Sequence, residues 1–450
     1  MSAPDPARRA AYDVLRAVRV VDAYTNLALP VALGRRRVTG RDAAFATELA
    51  SGTIRRRGTY DAILGECIDR PLDKVQVKVL DILRLGCHQL LSMRVPPHAA
   101  ISTSVDLARA EVGDGAAGFT NAVLRKVSAR DVAGWLNLLD ADRTVRFSHP
   151  QWIVDLLTEA VGAAEIDALL AADNDSPAVT LVARPGRSTR DELPGEPTRF
   201  SPYGVVSAGG DPGSVPAVAA GRAGVQDEGS QLVAVALAEA PLDGPDRRWL
   251  DLCAGPGGKA ALLAALAAGR DARLVAAELQ PHRADLVRRV LSGADGVEAV
   301  TVADGTAPPW EPGSFDRVLV DAPCSGLGAL RRRPEARWHK SPDDLTGLVE
   351  LQVALLISAL SLVRPGGVVV YATCSPVLAE TAGVVSRVLD AQGLQGQGRD
   401  AQGLDGRPGV TLEPVPLAVP DSAGPLPGTV QLWPHRHRTD AMFIALLRRT

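Results

Sequence analysis

The sequence predicts a multidomain chain: an all-helical N-terminal domain over residues 1–145, a small α/β linking module over 146–235, and a C-terminal α/β domain over 236–450. Three observations predict it. Apolar residues recur at helical spacing through the first third, with no strand-like alternation. Gly and Pro become frequent through residues 185–222. From about residue 236 short apolar runs alternate with helical segments, the pattern of βαβ units around a parallel sheet. A chain of 450 residues is too long for one compact core, and 46% hydrophobic content excludes a largely disordered one.

In the first region Ala10–Val21, Ala43–Arg56, Val75–Leu91 and Ala100–Val112 carry the helical spacing, with breaks at Pro96–Pro97 and Gly113–Gly118. A helical bundle accommodates them. In the second, Ser148-His149-Pro150 precedes an amphipathic helix and Ala178–Ala183 (AVTLVA) reads as a strand. In the third, the expected strands are Arg248–Leu252, Arg273–Glu278, Glu298–Val302, Asp316–Val320 and Gly367–Ala372. Helices at Lys259–Ala268, His282–Leu291 and Asp344–Val363 separate them, implying right-handed crossovers. Residues 391–428, rich in Gly, Pro and Gln, read as a flexible insertion. Ala441–Arg448 reads as a closing strand that pairs back onto the sheet.

A net charge of −3 argues against a uniformly basic nucleic-acid binder, yet residues 1–145 hold 21 Lys+Arg against 16 Asp+Glu. Basic clusters at Arg35–Arg37, Arg55–Arg57 and Arg331–Arg333 are candidate RNA contacts, although a charge run is ordinarily a solvated face. The five cysteines (Cys67, Cys87, Cys253, Cys324 and Cys374) form no CxxC pair and lie at no zinc-site spacing from histidine, so no metal is expected. An odd cysteine count, and an N terminus with no signal or transit pattern, point to the reducing cytoplasm. No charge-free stretch of ~18 apolar residues occurs, so no membrane span is expected.

Asp251-Leu252-Cys253-Ala254-Gly255-Pro256-Gly257-Gly258-Lys259 falls where a strand meets a helix. Glycines there let the backbone turn tightly and approach a ligand, and the helix N-terminus offers free N–H groups and positive potential. Such a loop alone is shared by dinucleotide and methyl-donor sites, and a plain turn is the bland alternative. Pro256 and the spacing do not fit G-x-G-x-x-G, and GxxxxGK[ST] is absent despite Lys259. Glu278 ends the next strand, where a carboxylate can accept both ribose hydroxyls. Asp304, in Val302-Ala303-Asp304-Gly305, ends the third and is suited to an adenine amino group. One acid at a strand end is commonly a helix cap. Three successive strand ends with suitable polar groups form a pattern that capping does not predict.

Asp321-Ala322-Pro323-Cys324-Ser325-Gly326 follows the fourth strand and Thr373-Cys374-Ser375-Pro376 the fifth. Buried cysteine is ordinarily a small apolar residue, which suits Cys67, Cys87 and Cys253. It suits Cys324 and Cys374 poorly, because both lie past strand ends among Pro, Ser and Gly, facing the same crevice as the glycine-rich turn. A thiol has a use there in methyl transfer to carbon. Cytosine C5 is a weak nucleophile, and a thiolate adding to C6 turns the C5 side into an enamine. A carboxylate near N3, with Asp321 as candidate, would favour the adduct by protonation or hydrogen bonding. Amino-group methylation needs no such thiol.

DLCAGPGGKA, AELQPHR, VADG, DAPCSGLGALRRRPEARW and YATCSP resemble, in combination and order, the motifs of the RNA cytosine-C5 methyltransferases. RDAAFATELASGTIRRRGTYDAIL, DILRLGCHQLL and GFTNAVLRKV resemble the NusB-like RNA-binding domain of the RsmB/Sun/Fmu branch, and VQDEGSQLVA (225–234) its lead into the catalytic domain. The resemblance covers nearly the whole chain. It implies a Rossmann-like class I methyltransferase domain using S-adenosylmethionine and no metal. It implies a monomer acting on 16S rRNA, unassembled or partly assembled. It also orders the thiols: Cys374 attacks C6 and Cys324 assists product release. Cys253, Ala254, Gly255, Pro256, Gly257, Gly258, Lys259, Glu278, Asp304 and Asp321 fall to the methyl-donor site.

Departures from the family pattern are modest. Glu380-Thr381 replaces a usual Glu-Asn, Asp440-Ala441-Met442-Phe443 a usual Asp-Gly-Phe-Phe, and the 391–428 insertion is long. Arg331–Arg333 and Trp338 suit either the backbone flanking the target base or a plain surface loop. The alternatives are a tRNA or 23S rRNA target, an antitermination-like RNA-binding factor with a vestigial catalytic domain, and a DNA cytosine methyltransferase with a Pro-Cys nucleophile. Retention of both Cys324 and Cys374 speaks against the last two.

Overall fold

The computed structural model describes residues 4–391 and 409–450. Contacts gather the chain into two units, Met1–Pro177 with Ala329–Lys340, and Ala178–Gly328 with Ser341–Thr450. Residues 146–235, expected as one module, are shared between them: helices Gln151–Val161 and Ile166–Ala172 belong to the first and the strands from Thr180 onward to the second.

The first unit is helical, as its periodicity predicts. Pro6–Val21 opens with Asp5 accepting a hydrogen bond from the Arg8 N–H at 2.9 Å and Pro6 at the first helical position, and buries Ala7, Ala10, Ala11, Val14, Leu15 and Val18 along one face. Val77–Leu91 is the central helix. Ile82 and Leu85 pack with the Pro6–Val21 side of the core, while Val79, Leu80, Leu83 and Cys87 pack with Tyr60, Ile63, Leu64 and Trp135.

The segment after Gly328 closes this unit. The Trp338 indole donates to Ile54 O at 2.8 Å, Thr25 Oγ1 donates to Glu335 at 2.6 Å, and Arg331 and Arg337 are buried. Trp338 and Arg331 are therefore not on a surface loop. Arg55 is buried too, so two of the three basic clusters each bury an arginine rather than presenting a wholly solvated face.

The second unit holds two sheets. The smaller is antiparallel, with β1 (Thr180–Ala183), β2 (Gly195–Pro197), β3 (Gly204–Ser207) and β4 (Ala223–Val225) in the order β2-β3-β1-β4. The larger contains β5 (Arg248–Asp251), β6 (Arg273–Glu278), β7 (Val297–Val302), β8 (Phe315–Asp321), β9 (Val363–Thr373), β10 (Val410–Glu413), β11 (Val430–Gln431) and β12 (Phe443–Arg449). Its order is β10-β12-β9-β8-β5-β6-β7, with β11 also on β12. β5 to β9 run parallel, and β12 returns to the sheet as expected, pairing antiparallel with β9.

Alternate residues feed opposite faces, as the two-residue period of a strand requires. Trp249, Leu319, Val368 and Val370 pack beneath helices Glu228–Glu239, Gly258–Ala268 and Pro281–Leu291. Leu250, Val318, Val369 and Tyr371 pack beneath Asp343–Leu362 and Ala382–Ala391. Helix Asp343–Leu362 is long and apolar enough to span a bilayer by length and composition. Its Leu355, Leu356, Ala359 and Leu360 lie in the core instead, and it carries Glu350. From β5 the chain builds outward through β6 and β7, then crosses back to β8 and β9. The carboxyl ends of β5 and β8 thus flank the switch point where open α/β sheets bind ligands.

The expected insertion at 391–428 needs correction in part. Residues 392–408 lie outside the described residues. Beyond them Val410–Glu413 pairs with β12 from Val410↔Arg449 to Glu413↔Leu446 and is sheet edge rather than loop, while residues 414–428 are irregular apart from a bridge from Ala423 to Val430.

Candidate active site

The glycine-rich turn leaves β5 at Asp251 and enters helix Gly258–Ala268 through Gly257, whose φ of +112° is a left-handed conformation that favours glycine. Ala254 N–H donates to Ala277 O at 2.8 Å, tying the turn to β6. At the end of β6 the buried Glu278 carboxylate accepts from Gly255 N–H at 3.1 Å and from Gln280 N–H at 3.0 Å. A side chain at Gly255 would run into that carboxylate. Arg283, which the sequence did not single out, donates to Gly255 O at 2.7 Å and lies 3.6 Å from Glu278.

These residues fit an adenosyl ligand. The turn leaves backbone bare at Gly255, Gly257 and Gly258, the first helical turn presents N–H groups, and a carboxylate stands at the next strand end. Beside Gly258 lies Gln226, whose buried side-chain amide has neither oxygen nor nitrogen hydrogen-bonded among the described residues. Buried polar groups are seldom left so. Asp304, two residues past β7, is exposed and accepts from Thr306 N–H at 2.9 Å and Thr306 Oγ1 at 2.7 Å, bonds that hold its carboxyl below the usual range. It bonds to none of the other predicted site residues among those described.

At the centre, Lys259 Nζ donates to Asp321 Oδ2 at 2.9 Å and lies 3.4 Å from Ser230 Oγ. Burial opposes the ammonium charge, but Asp321, then Cys374 and Asp251, outweigh it and hold Lys259 above its ordinary range. Asp251 lies buried at the end of β5, and burial, reinforced by Asp321, pushes its carboxyl up to about 8.

The two thiols meet across adjacent strand ends, with Cys324 Sγ and Cys374 Sγ 3.4 Å apart. Their loops are zipped together: Ala322 N–H donates to Ala372 O at 2.9 Å, Gly328 N–H to Cys374 O at 2.9 Å, and Ala441 N–H to Gly328 O at 2.8 Å. A Cβ at Gly328 would strike the Ala441 carbonyl and press on that of Cys374, so only glycine closes this zip. The neighbouring Cys374 sulfur, then burial and the Glu380 carboxylate, hold the Cys324 thiol well above its ordinary range. Burial likewise pushes Cys253 up, and it meets neither of the other two thiols. Cys67 and Cys87 are buried in the helical unit.

The parallel sheet with its switch point, the glycine-rich turn and the acid at the following strand end define a Rossmann-like methyltransferase domain joined to a helical domain. Comparisons with known proteins agree. The sequence model described as 16S rRNA methyltransferase RsmB/F matches residues 240–448, and that of the NusB family matches residues 5–129. A Mycobacterium tuberculosis protein named as a methyltransferase is 51% identical over 99% of this chain and 97% of its own length. The ribosomal RNA small subunit methyltransferase B of Pseudomonas syringae is 34% identical over 87% of this chain and 90% of its own. Among solved structures, PH0851 superposes with a TM-score of 0.81 at 22% identity, over 100% of this chain and 99% of that one, which speaks to the fold. The chain belongs to the RsmB/F family of S-adenosylmethionine-dependent rRNA methyltransferases, with an N-terminal NusB domain.

Proposed function

We propose that the protein methylates C5 of a cytosine in 16S rRNA through a covalent bond between Cys374 and C6. The observation that carries this reading is the pair of thiols 3.4 Å apart at the ends of β8 and β9, beside the Lys259–Asp321 pair. Methylation of an exocyclic nitrogen or a ribose would give neither thiol a task.

The target cytosine leaves its stack to enter the crevice. Lys259 favours the thiolate form of Cys374, which forms the S–C6 bond while the C5=C6 pair shifts to C4–C5 and the C4=N3 pair moves onto N3. Asp321, next to N3, stabilises the resulting enamine by protonation or hydrogen bonding. S-adenosylmethionine, when bound, supplies the electrophilic methyl group that C5 takes. Loss of the C5 proton to a base then re-forms the double bond and expels the Cys374 thiolate, a release that Cys324 assists. Cys253 to Lys259 and Asp321 line the donor site, Glu278 receives the ribose hydroxyls and Asp304 the adenine amino group. The substrate is unassembled or partly assembled rRNA in the cytoplasm, engaged by a monomer whose NusB domain adds phosphate contacts.

Bisulfite sequencing of total RNA from cells lacking the gene tests this. One cytosine of 16S rRNA should lose its mark and regain it with the wild-type gene but not with Cys374→Ala. Loss of a tRNA or 23S rRNA mark would move the substrate, and an unchanged pattern would overturn the reading.

A further inference from the structure

Each reactive cysteine is followed by a serine, and the two serines converge on one acid. Ser325 Oγ donates to Glu380 Oε2 at 2.5 Å and Ser375 Oγ donates to the same oxygen at 2.6 Å. Glu380 Oε1 accepts from Ser325 N–H at 2.7 Å and from Gln352 Nε2 at 3.0 Å. Gln352 also donates to Pro323 O at 2.8 Å, the carbonyl just before Cys324. Both serine hydroxyls accept backbone N–H groups two residues on, from Leu327 at 3.5 Å and Val377 at 3.2 Å, so each loop is folded around its own hydroxyl. Tyr371 Oη donates to Glu380 O at 2.7 Å and fixes the acid's backbone on β9.

Glu380 is fully buried, and no cation pairs with it among the described residues. Four donors meet its charge instead, and three of them lie on the residues directly after the two cysteines. Burying a carboxylate this way is costly unless every lone pair is used. A serine and a backbone hydrogen bond would have sufficed to fold either loop alone. What the carboxylate adds is a rigid link between the two loops and a buried negative charge that opposes loss of the Cys324 proton, while the Lys259 ammonium and a Cys374 thiolate favour each other.

We infer that Glu380 is a positioning residue of the methylation reaction. Its carboxylate clamps both cysteine loops at one spacing and keeps the proton of the thiol pair on Cys324, which leaves Cys374 as the attacking sulfur. The inference rests on the cytosine chemistry proposed above for its purpose, while the clamp itself is readable without RNA.

The test compares full-length wild type, Glu380→Gln and Glu380→Asp. Alkylation of each thiol by iodoacetamide is followed across pH by peptide mass spectrometry, and methylation by steady-state kinetics. In wild type, Cys374 should alkylate at lower pH than Cys324. In Glu380→Gln the Cys324 profile should move down and the preference shrink about tenfold, a shift near one pH unit. kcat should fall about a hundredfold with KM for S-adenosylmethionine unchanged, as for displaced reacting groups. Glu380→Asp should restore the order of the thiols and part of kcat. Wild-type alkylation profiles in Glu380→Gln, with only a lower melting temperature, would overturn the inference. If Glu380→Gln does not fold, Ser375→Ala decides by the same profiles. Should wild type methylate no RNA, the cytosine reading fails while the alkylation data still decide the clamp.

Discussion

Among the described residues, Arg337 in the helical unit and Glu380 in the catalytic unit are both fully buried charges that hydrogen-bond to uncharged groups, with the Asp173 carboxylate also favouring the Arg337 charge. Arg337 Nη1 donates to Arg55 O at 2.8 Å, Ser148 O at 3.2 Å and Asn174 Oδ1 at 2.8 Å, and Nη2 to Asp173 O at 2.7 Å. Arg55 closes helix Gly40–Arg55, Ser148 caps Arg143–Phe147 and Asp173 caps Ile166–Ala172. The guanidinium therefore gathers the unsatisfied carbonyl ends of three helices, where the helix dipoles favour a cation. Glu380 gathers donors from two loops. Burial pulls Arg337 down to about 9, which leaves it charged at neutral pH. The cation joins elements whose only task is to stay together; the anion joins loops whose sulfurs have to react. Losing the first should cost stability and losing the second should cost rate.

The largest loss of stability should come from Arg337→Ala. Unpaired helix carbonyls and a cavity predict a loss of about 3–5 kcal/mol, seen in denaturant unfolding of the helical unit. The relative alkylation of Cys324 and Cys374 should stay as in wild type. A variant that unfolds like wild type would break the comparison. Next comes Gly328→Ala, where the added methyl strikes the zip between the cysteine loops and predicts a loss of about 1–3 kcal/mol with slower methylation. Normal turnover there would show that the zip tolerates movement.

The remaining effect concerns pH and has the opposite sign, a gain in stability on substitution. The carboxyl of Asp251 is raised in the folded state to about 8, from an ordinary value of 3.8. Between those values the folded state holds a proton that the unfolded state has released, so stability falls as pH rises through this window and levels off above it. Asp251→Asn removes that dependence. Its melting temperature should exceed that of wild type above pH 8, and the gain should fade as pH falls toward 4. A constant offset at all pH values would contradict a protonated Asp251.

The catalytic half was the more legible in sequence, for physical reasons. Strands buried on both faces read as apolar runs, so β5, β6, β8 and β9 were located to within a few residues, and the polar groups that end them mark the ligand edge. The helical unit was legible as helices but not as packing, because the Arg337 bonds span 163 to 282 residues of sequence. β2, β3, β4, β10 and β11 escaped notice because strands of two to four residues carry too little periodicity. Glu380 was visible in sequence only as half of an altered Glu-Thr pair. The repeated Cys-Ser at 324–325 and 374–375 was the available signal that both loops share a partner. Gln226 and Arg283 stood inside the VQDEGSQLVA and AELQPHR segments without an assigned role, since their positions matter only once β6 and the glycine-rich turn are side by side.

The covalent two-thiol reaction is tested most directly by incubating Cys324→Ala with S-adenosylmethionine and 16S rRNA and resolving the mixture on a denaturing gel. Attack by Cys374 without assisted release predicts a protein–RNA band that is absent when Cys374→Ala is added to the same chain. No band, or normal turnover by Cys324→Ala, would contradict the assignment of one sulfur to attack and the other to release.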